Sequence, residues 1–404
     1  MALEQTAGVL IPELERCQRP LIAAGAAGLL VSAAGGFFEP AQFFQSYLMA
    51  YMFCLGLTLG CLALGMVHQL SGGAWGVVLR RPIGAAARVL PVLTLLFLPI
   101  VAGMGHLYIW THADIVARDE VLQHKHLYLN TPFFLLRAAL YFLAWNAISH
   151  FLNAWSLEQD RTGDPQLSRR MQQLSAGGLV VYGLTITFAS FDWLMSIEPD
   201  WYSTIYGVLM IGGQGLTALA FLILVIAWLS RRPPLDAVIG PEHFHDAGNL
   251  TLAFVMLWAY FAFSQYLIIW AGDLPHEIAW YQHRLQNSWR LIGVALVLFH
   301  FAVPFLVLLS RRVKRQAATL SAVAAGLLAM RLVDLFWLIA PDFHSGFHVS
   351  WLDLLLPASL VSLWLGAFVW QLRGRAILPV YDPEFDEALG STLDRSGEHP
   401  GLAH

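Results

Sequence analysis

The chain has 404 residues, of which 57% are hydrophobic and 12% are charged. Soluble globular domains carry about 25% charged residues, so this composition excludes an ordinary soluble protein and predicts an all-α polytopic membrane protein. The formal net charge of −4 gives no sign of a nucleic-acid partner.

The three cysteines, Cys17, Cys54 and Cys61, are too few for a disulfide framework and form no CxxC or CxxCH motif. We therefore expect this chain alone to bind no cofactor, neither an iron–sulfur cluster nor covalent haem. Its first residues, MALEQTAGVLIPELERCQRP, are acidic and interrupted by proline, which predicts that no signal peptide is cleaved.

Ten apolar segments are long enough to cross a membrane, which takes about 20 residues in a helix. The first segment ends an N-terminal region (1–38), and the last begins a C-terminal region with a polar tail (346–404). In chain order the segments, numbered helices 1 to 10, cover 20–38, 43–67, 85–110, 132–155, 174–196, 202–229, 249–270, 288–309, 316–340 and 350–372.

Basic residues are concentrated at one end of these predicted helices. Seventeen lysines and arginines lie at that end, against four at the other, which are Arg118, Lys125, Arg284 and Arg290. The positive-inside rule then predicts that both termini lie in the cytoplasm.

The chain contains two related units. The stretch FDWLMSIEPDW (191–201) corresponds to VDLFWLIAPDFHS (333–345), with Asp192 aligned on Asp334 at an offset of 142 residues, and further matches recur at offsets of 159 and 160. An even number of spans per unit makes the two units parallel. We therefore predict two four-helix bundles side by side, helices 2–5 (39–197) and helices 6–9 (198–345), with helices 1 and 10 outside them.

The apolar segments contain ionisable residues, among them Asp192 and Asp334, and each such side chain costs about 2.5–3.5 kcal/mol to insert and needs a partner or a function. Arg331 and Asp334 are three residues apart, so they share one helix face and can pair directly. Asp192 has no basic neighbour on its own helix, but Arg137 of helix 4 is at a matching depth. Each pair is either a structural salt bridge or part of a functional site, and the pattern leaves both readings open.

Polar side chains recur at similar depth near the outer end of every helix in both bundles. Such side chains would line cavities that open to the outer side. In the first bundle, a histidine or aspartate at this depth could accept a proton from a bound molecule. The residues that would form this site are Tyr47, His106, Arg137 and Asp192. Alternatively, a single histidine near a helix end is a residue of the membrane interface whose hydrogen bonds are satisfied there, with no role in a binding site.

A proton path is the second hypothesis for the buried polar residues. It would run from the cytoplasmic side to the outer cluster through His150, Tyr182, Asp192, Arg331 and Asp334. Alternatively, a tyrosine within a span has a structural role and forms a hydrogen bond with the backbone of a helix. His106, His150 and His300 are predicted at three different depths, so a bis-histidine haem is not expected.

Two polar segments outside the helices suggest partners. The outer loop between helices 3 and 4 (111–130) has mixed charge and three histidines, but its HxH spacing is too weak to predict a metal site. We expect a docking surface for a peripheral subunit there. The tail at 378–404 lacks periodicity, which predicts a disordered or partner-bound segment.

Three stretches carry a family resemblance: FFQSYLMAYMFCLGLTLGCLALGMVHQLSGGAWG (43–76), YLNTPFFLLRAALYF (128–142) and FDWLMSIEPDWYSTIYG (191–207). They resemble the ActF-type membrane subunit of bacterial alternative complex III, within the polysulfide-reductase-like (NrfD-like) group, over about 37–345. The resemblance implies ten helices in two four-helix bundles in the bacterial inner membrane. It also implies a complex that oxidises menaquinol or ubiquinol through iron–sulfur clusters and c-type haems in other subunits.

The resemblance further implies the partners and role of the chain. The partners would be lipid, a related membrane subunit, an iron–sulfur subunit and c-type cytochrome subunits. The chain would scaffold the complex without a redox centre of its own and conduct protons through half-channels. The alternatives are a quinol-oxidising site in the first bundle, a secondary transporter and a structural anchor; transport is disfavoured because Pro91 and Pro99 of helix 3 lack counterparts in helix 7.

Overall fold

The computed structural model describes residues 2–73, 76, 78–232, 235–285 and 288–373. Over these residues the chain is helical without any strand, and ten helices are long and apolar enough to cross a membrane. The prediction of an all-α polytopic membrane protein is confirmed. The spanning helices are α1 (Arg16–Gly36), α2 (Pro40–Ser71), α3 (Arg80–Ala102), α4 (Thr131–Thr162), α5 (Pro165–Ile197), α6 (Tyr206–Leu229), α7 (Pro241–Gly272), α8 (Trp289–Leu309), α9 (Ala317–Asp342) and α10 (Leu352–Leu372).

The connections contain shorter helices that do not span. The loops after α1, α3, α5, α7 and α9 share one end of the molecule, which we call the acidic end and which the basic residues predict to face outward. The tail at 378–404 lies outside the described residues. The short helices are Ala113–Val116 and Glu120–Lys125 before α4, Leu235–Val238 before α7, Pro275–Leu285 before α8 and Arg311–Arg315 before α9.

Helices α4, α5 and α7 extend well beyond the apolar segments predicted for them. The added turns are polar and lie at the end opposite the acidic end, where hydropathy gives no signal. The α4–α5 corner shows how local chemistry ends and restarts the helix. Gly163 adopts a left-handed conformation (φ 65°) at the end of α4, and the Asp164 carboxylate then accepts the Gln166 N–H at 2.8 Å before Pro165 begins α5.

The third spanning helix, predicted at 85–110, is interrupted. The segment is divided into Arg80–Ala87, Leu90–Leu95 and Leu98–Ala102, and a separate turn follows at Met104–Leu107. Pro91 and Pro99 lie at the starts of the second and third pieces, because proline cannot donate the backbone hydrogen bond that a continuous helix needs.

Hydroxyl groups from neighbouring helices satisfy the carbonyls released at these breaks. Ser149 of α4 donates to the Ala87 carbonyl at 3.0 Å, which is the carbonyl that Pro91 cannot reach. Tyr51 and Tyr47 of α2 donate to the carbonyls of Leu93 at 3.1 Å and Leu96 at 2.7 Å. An irregular helix is tolerated within a membrane only where such partners replace the missing bonds.

Helices α2 to α5 form one ring of neighbours and α6 to α9 form a second, as predicted for two bundles. Helices α2 and α6 are the most buried spans and pack on each other at the centre. Gly60 permits this approach, because a Cβ there would lie 2.2 Å from the carbonyl oxygen of Gln214. Helices α1 and α10 pair along one side, with Gly28 against Ser359, and α10 also contacts α2.

Candidate functional site

Asp192 lies near the acidic end of α5 and is fully buried. Arg137 of α4 donates from Nε to Oδ2 and from Nη2 to Oδ1, each at 2.8 Å, and the Tyr141 hydroxyl donates to Oδ2 at 2.8 Å. A bidentate pair of this kind is the strongest arrangement of arginine and carboxylate. Both oxygens of Asp192 are therefore occupied, which fits a structural link between α4 and α5.

Aromatic side chains fill the interior around this pair. The ring of Trp193 lies 4.8 Å from that of Phe97, 5.6 Å from Phe142 and 5.9 Å from Trp145. Interlocking rings of this size bury a large apolar area and exclude water. The first bundle is thus densely packed at the depth of Asp192.

The other residues predicted for a quinol site in the first bundle do not converge on Asp192. Tyr47 is buried, and its hydroxyl is bonded to the Leu96 carbonyl. His106 is exposed, and its ring stacks on Phe44 with centroids 5.3 Å apart. The structure brings together Arg137 and Asp192 and places Tyr47 and His106 in separate contacts.

The residues predicted for a proton path are also divided between different regions. His150 is exposed on α4, where its ring contacts that of Phe151 at 5.5 Å. Tyr182 is buried and donates to Gln214 Oε1 of α6 at 2.7 Å, so it joins α5 to α6. The remaining members, Arg331 and Asp334, lie in the second bundle.

Arg331 and Asp334 of α9 are buried and form the ion pair that their spacing predicts. Arg331 Nη1 donates to Asp334 Oδ2, and the Trp258 indole of α7 donates to the same oxygen at 3.2 Å. No described residue donates to Asp334 Oδ1. The two aspartates that align in the sequence therefore have different surroundings.

A cavity of about 810 Å³ lies beside Asp334, between α7, α8 and α9. We call it the second-bundle cavity. Its wall is mainly apolar, with a few polar side chains: Gln265, Tyr281, Arg290 and Asp334. The lining residues Tyr260, Phe263 and Val297 are each at least 60% exposed, so the cavity opens sideways between α7 and α8.

Helix α8 is wound as a π-helix over Leu296–Ala302, where it lines this cavity. Segments of π-helix are rare and frequently mark functional sites. His300 in this segment is fully buried, and its ring meets that of Trp258 edge to face at 4.3 Å. Neither ring nitrogen of His300 has a hydrogen-bond partner among the described residues.

A second charged cluster lies at the acidic end of this bundle. Arg284 is fully buried and donates from Nη2 to Asp342 Oδ1 at 2.6 Å and to the Leu338 carbonyl at 3.0 Å. Its Cζ lies 3.6 Å from the Trp280 ring centroid, and its Nη1 lies 3.8 Å from Glu198 Oε2. One arginine thus faces two carboxylates, and we call these three residues the Arg284 cluster.

Burial raises the pKa of Glu198 to about 7, and the nearby charge of Asp342 acts in the same direction while Arg284 opposes both. The Glu198 carboxyl group therefore changes its protonation close to neutral pH. Tyr206 of α6 is buried within electrostatic range of both the Arg284 cluster and the Arg331–Asp334 pair.

Sequence reasoning missed the Arg284 cluster, since it treated Arg284 as an ordinary loop cation. A signal was present, because Trp280 and Arg284 are four residues apart and share a face of one helical turn. In the loop before α4, Lys125 donates to the Pro199 carbonyl, so part of this predicted docking surface packs on the α5–α6 loop. Among the described residues, no group of three or more His, Cys, Asp or Glu could hold a metal ion.

The chain was also compared with known proteins. No family model matches it, and no curated protein matches it.

Proposed function

We propose that the chain is an integral membrane subunit of a quinol-oxidising respiratory complex of the alternative complex III type, in the bacterial inner membrane. In this proposal it scaffolds the complex and conducts protons toward the acidic end. The iron–sulfur clusters and c-type haems belong to partner subunits. The family resemblance of 43–76, 128–142 and 191–207 supports the assignment to such a complex.

The observation that carries the proton role is the difference between the two aligned aspartates. Asp192 has both oxygens occupied by Arg137 and Tyr141, so its surroundings are closed. Asp334 borders the second-bundle cavity, and the hydrogen bonds that it receives from described residues are at Oδ2 only. A carboxylate with one open side can load and release a proton, so Asp334 is the better relay.

The route onward to the acidic end follows α9. Asp342 lies eight residues beyond Asp334, about 12 Å along a helix. Tyr206 lies within electrostatic range of both ends of this interval. Glu198 then offers a carboxyl group with a pKa of about 7 at the acidic end, which suits release of a proton near neutral pH.

The assembly is tested by tagging the chain in its native membrane and purifying it in mild detergent. We expect subunits with iron–sulfur clusters and c-type haem to co-purify with it, together with quinol-oxidising activity. Recovery of the chain without redox subunits, from membranes that retain quinol oxidation, would contradict the proposal.

The proton role is tested in liposomes that contain the purified complex. Because removing one partner leaves a buried charge, the variant should neutralise the whole pair: Arg331→Gln with Asp334→Asn. Its matched control is Arg137→Gln with Asp192→Asn. We expect proton movement per quinol oxidised to fall in the first variant only. Equal losses in both variants would remove the distinction between the two aspartates.

A further inference from the structure

We infer that the second-bundle cavity binds the ring of a quinol, with the long apolar tail leaving between α7 and α8 into the lipid. The inference rests on the proposed function for the presence of quinol at this subunit, and it names the site. It places the site in the second bundle, whereas the quinol site considered as an alternative from the sequence lay in the first.

The dimensions of the cavity suit such a ligand. Small-molecule sites are usually concave, mainly apolar and about 300–1,000 Å³ in volume, and this cavity has about 810 Å³. Trp258, Phe301 and Trp337 supply flat walls against which a ring can pack. The sideways opening past Tyr260 and Phe263 gives an isoprenoid chain a direct exit to the hydrocarbon.

The polar groups of the cavity complement the two oxygens of a quinol. Asp334 can accept a hydroxyl proton at Oδ1, which no described residue occupies. Tyr281 accepts a hydrogen bond from Gln265 Nε2 at 3.1 Å, and no described residue accepts the Tyr281 proton in return. Burial raises the pKa of Tyr281 to about 12, so this hydroxyl stays protonated and is available to donate.

Charge distinguishes a quinol from a phospholipid as the occupant. Among the described lining residues the sole cation is Arg290, which is exposed, while the inner wall carries the carboxylate of Asp334. Asp334 is already paired with Arg331, so the inner wall is neutral as a pair. A neutral head group with hydroxyls fits this wall better than a phosphate does, and an apolar helix from a partner would leave Asp334 and Tyr281 unsatisfied.

An independent feature coincides with the cavity. The described part of α8 departs from α-helical winding over Leu296–Ala302, and the same segment supplies Leu296, Val297, Leu298 and Phe301 to the wall. His300 stands behind Trp258, and neither of its ring nitrogens has a hydrogen-bond partner among the described residues. A buried nitrogen without a partner destabilises the fold, so the sequence retains an unfavourable arrangement at this place.

The test is photolabelling of the purified complex in nanodiscs with an azido-quinone that carries a prenyl tail, reduced to the quinol. Gly293→Phe on α8 fills the cavity, because Gly293 lines it and its nearest neighbours are Trp337 and Leu285 at 3.7 Å or more. The matched control is Gly326→Phe on α9, where no atom lies within 4 Å of a Cβ. The label is located by peptide mapping.

We expect label in peptides from 256–266 and 293–305, reduced about tenfold by Gly293→Phe and unchanged by Gly326→Phe, which corresponds to about 1.4 kcal/mol of binding free energy. Label elsewhere in the chain, insensitivity to Gly293→Phe, or a phospholipid or partner helix found in the cavity would each overturn the inference. Binding is read without turnover, so a negative result here leaves the complex itself intact, whereas failure of the proposed function appears as loss of the partner subunits.

Discussion

Gly213 of α6 lies directly against the guanidinium group of Arg331, and a Cβ at this glycine would be 2.5 Å from Arg331 Cζ. The guanidinium cannot move aside freely, because it is bonded to Asp334. The absence of a side chain at position 213 is therefore what allows the buried ion pair to lie flat between α6 and α9.

Gly213→Ala should accordingly destabilise the protein, although Gly→Ala within a helix ordinarily stabilises by roughly 0.5–1 kcal/mol. Thermal unfolding of the purified protein in detergent measures the effect. Gly183→Ala on α5 is the control, since no atom lies within 4 Å of its Cβ, and it should be neutral or stabilising. An equal change in unfolding temperature in both variants would show that the close contact between Gly213 and Arg331 does not affect stability.

Ser149→Ala should destabilise the broken third helix. Ser149 donates to the Ala87 carbonyl, which Pro91 cannot satisfy, so the variant leaves a buried acceptor without its partner. The expected cost is about 1–3 kcal/mol in the free energy of unfolding, measured by denaturation in detergent. Ser362→Ala serves as control, because that hydroxyl bonds the Ala358 carbonyl within its own regular helix. Equal costs would mean that the Ala87 carbonyl finds another partner.

Asp192→Asn should be more damaging than removal of both charges at this site. The single variant leaves the Arg137 guanidinium buried without a carboxylate, which costs about 3–5 kcal/mol, whereas Arg137→Met with Asp192→Leu leaves no buried charge. Folded yield and thermal unfolding report the difference. If the double variant is the less stable of the two, the pair contributes net stability beyond charge balance.

The Glu198 carboxyl group should give the protein a pH-dependent stability. Its pKa rises from about 4.5 to about 7 on folding, so the folded state binds the proton more tightly than the unfolded state. Stability from this group is therefore complete below about pH 4.5 and is lost as pH rises to about 7. Glu198→Gln should remove that loss, so the variant gains stability relative to the wild type between pH 5 and pH 8.

Infrared spectroscopy checks the same carboxyl group directly. The band of a protonated carboxyl group should disappear near pH 7 in the wild type and be missing from Glu198→Gln. A wild-type band that disappears near pH 4.5 would show that burial and the charge of Asp342 do not govern Glu198.

The sequence predicted the spanning helices well because hydropathy reports directly on the energetics of insertion. It also predicted that Arg331 pairs with Asp334 and offered Arg137 as a partner for Asp192, since helical spacing and depth restrict the choice of partners. It did not predict the breaks in α3, because the outcome at Pro91 depends on a hydroxyl from Ser149 on another helix.

The sequence pattern could not predict the location of the cavity, for a related reason. Both bundles carry polar residues at similar depth, but rings such as Trp193 fill the first, whereas the second stays open beside Asp334. Whether rings interlock depends on the rotation of each helix, and the π segment at Leu296–Ala302 changes that rotation within α8. The direction in which a side chain of α8 points therefore cannot be extrapolated from one end of the helix to the other.

The contact between α2 and α6 bears on how the two halves can move. Gly60 rests on the Gln214 carbonyl with no side chain between the backbones, and Tyr182 binds the same glutamine from α5. Alternating access by rocking requires two halves that separate around a central, solvated site. Here the two backbones meet directly at this contact, which opposes separation of the halves, so we expect a ligand to enter from the flank.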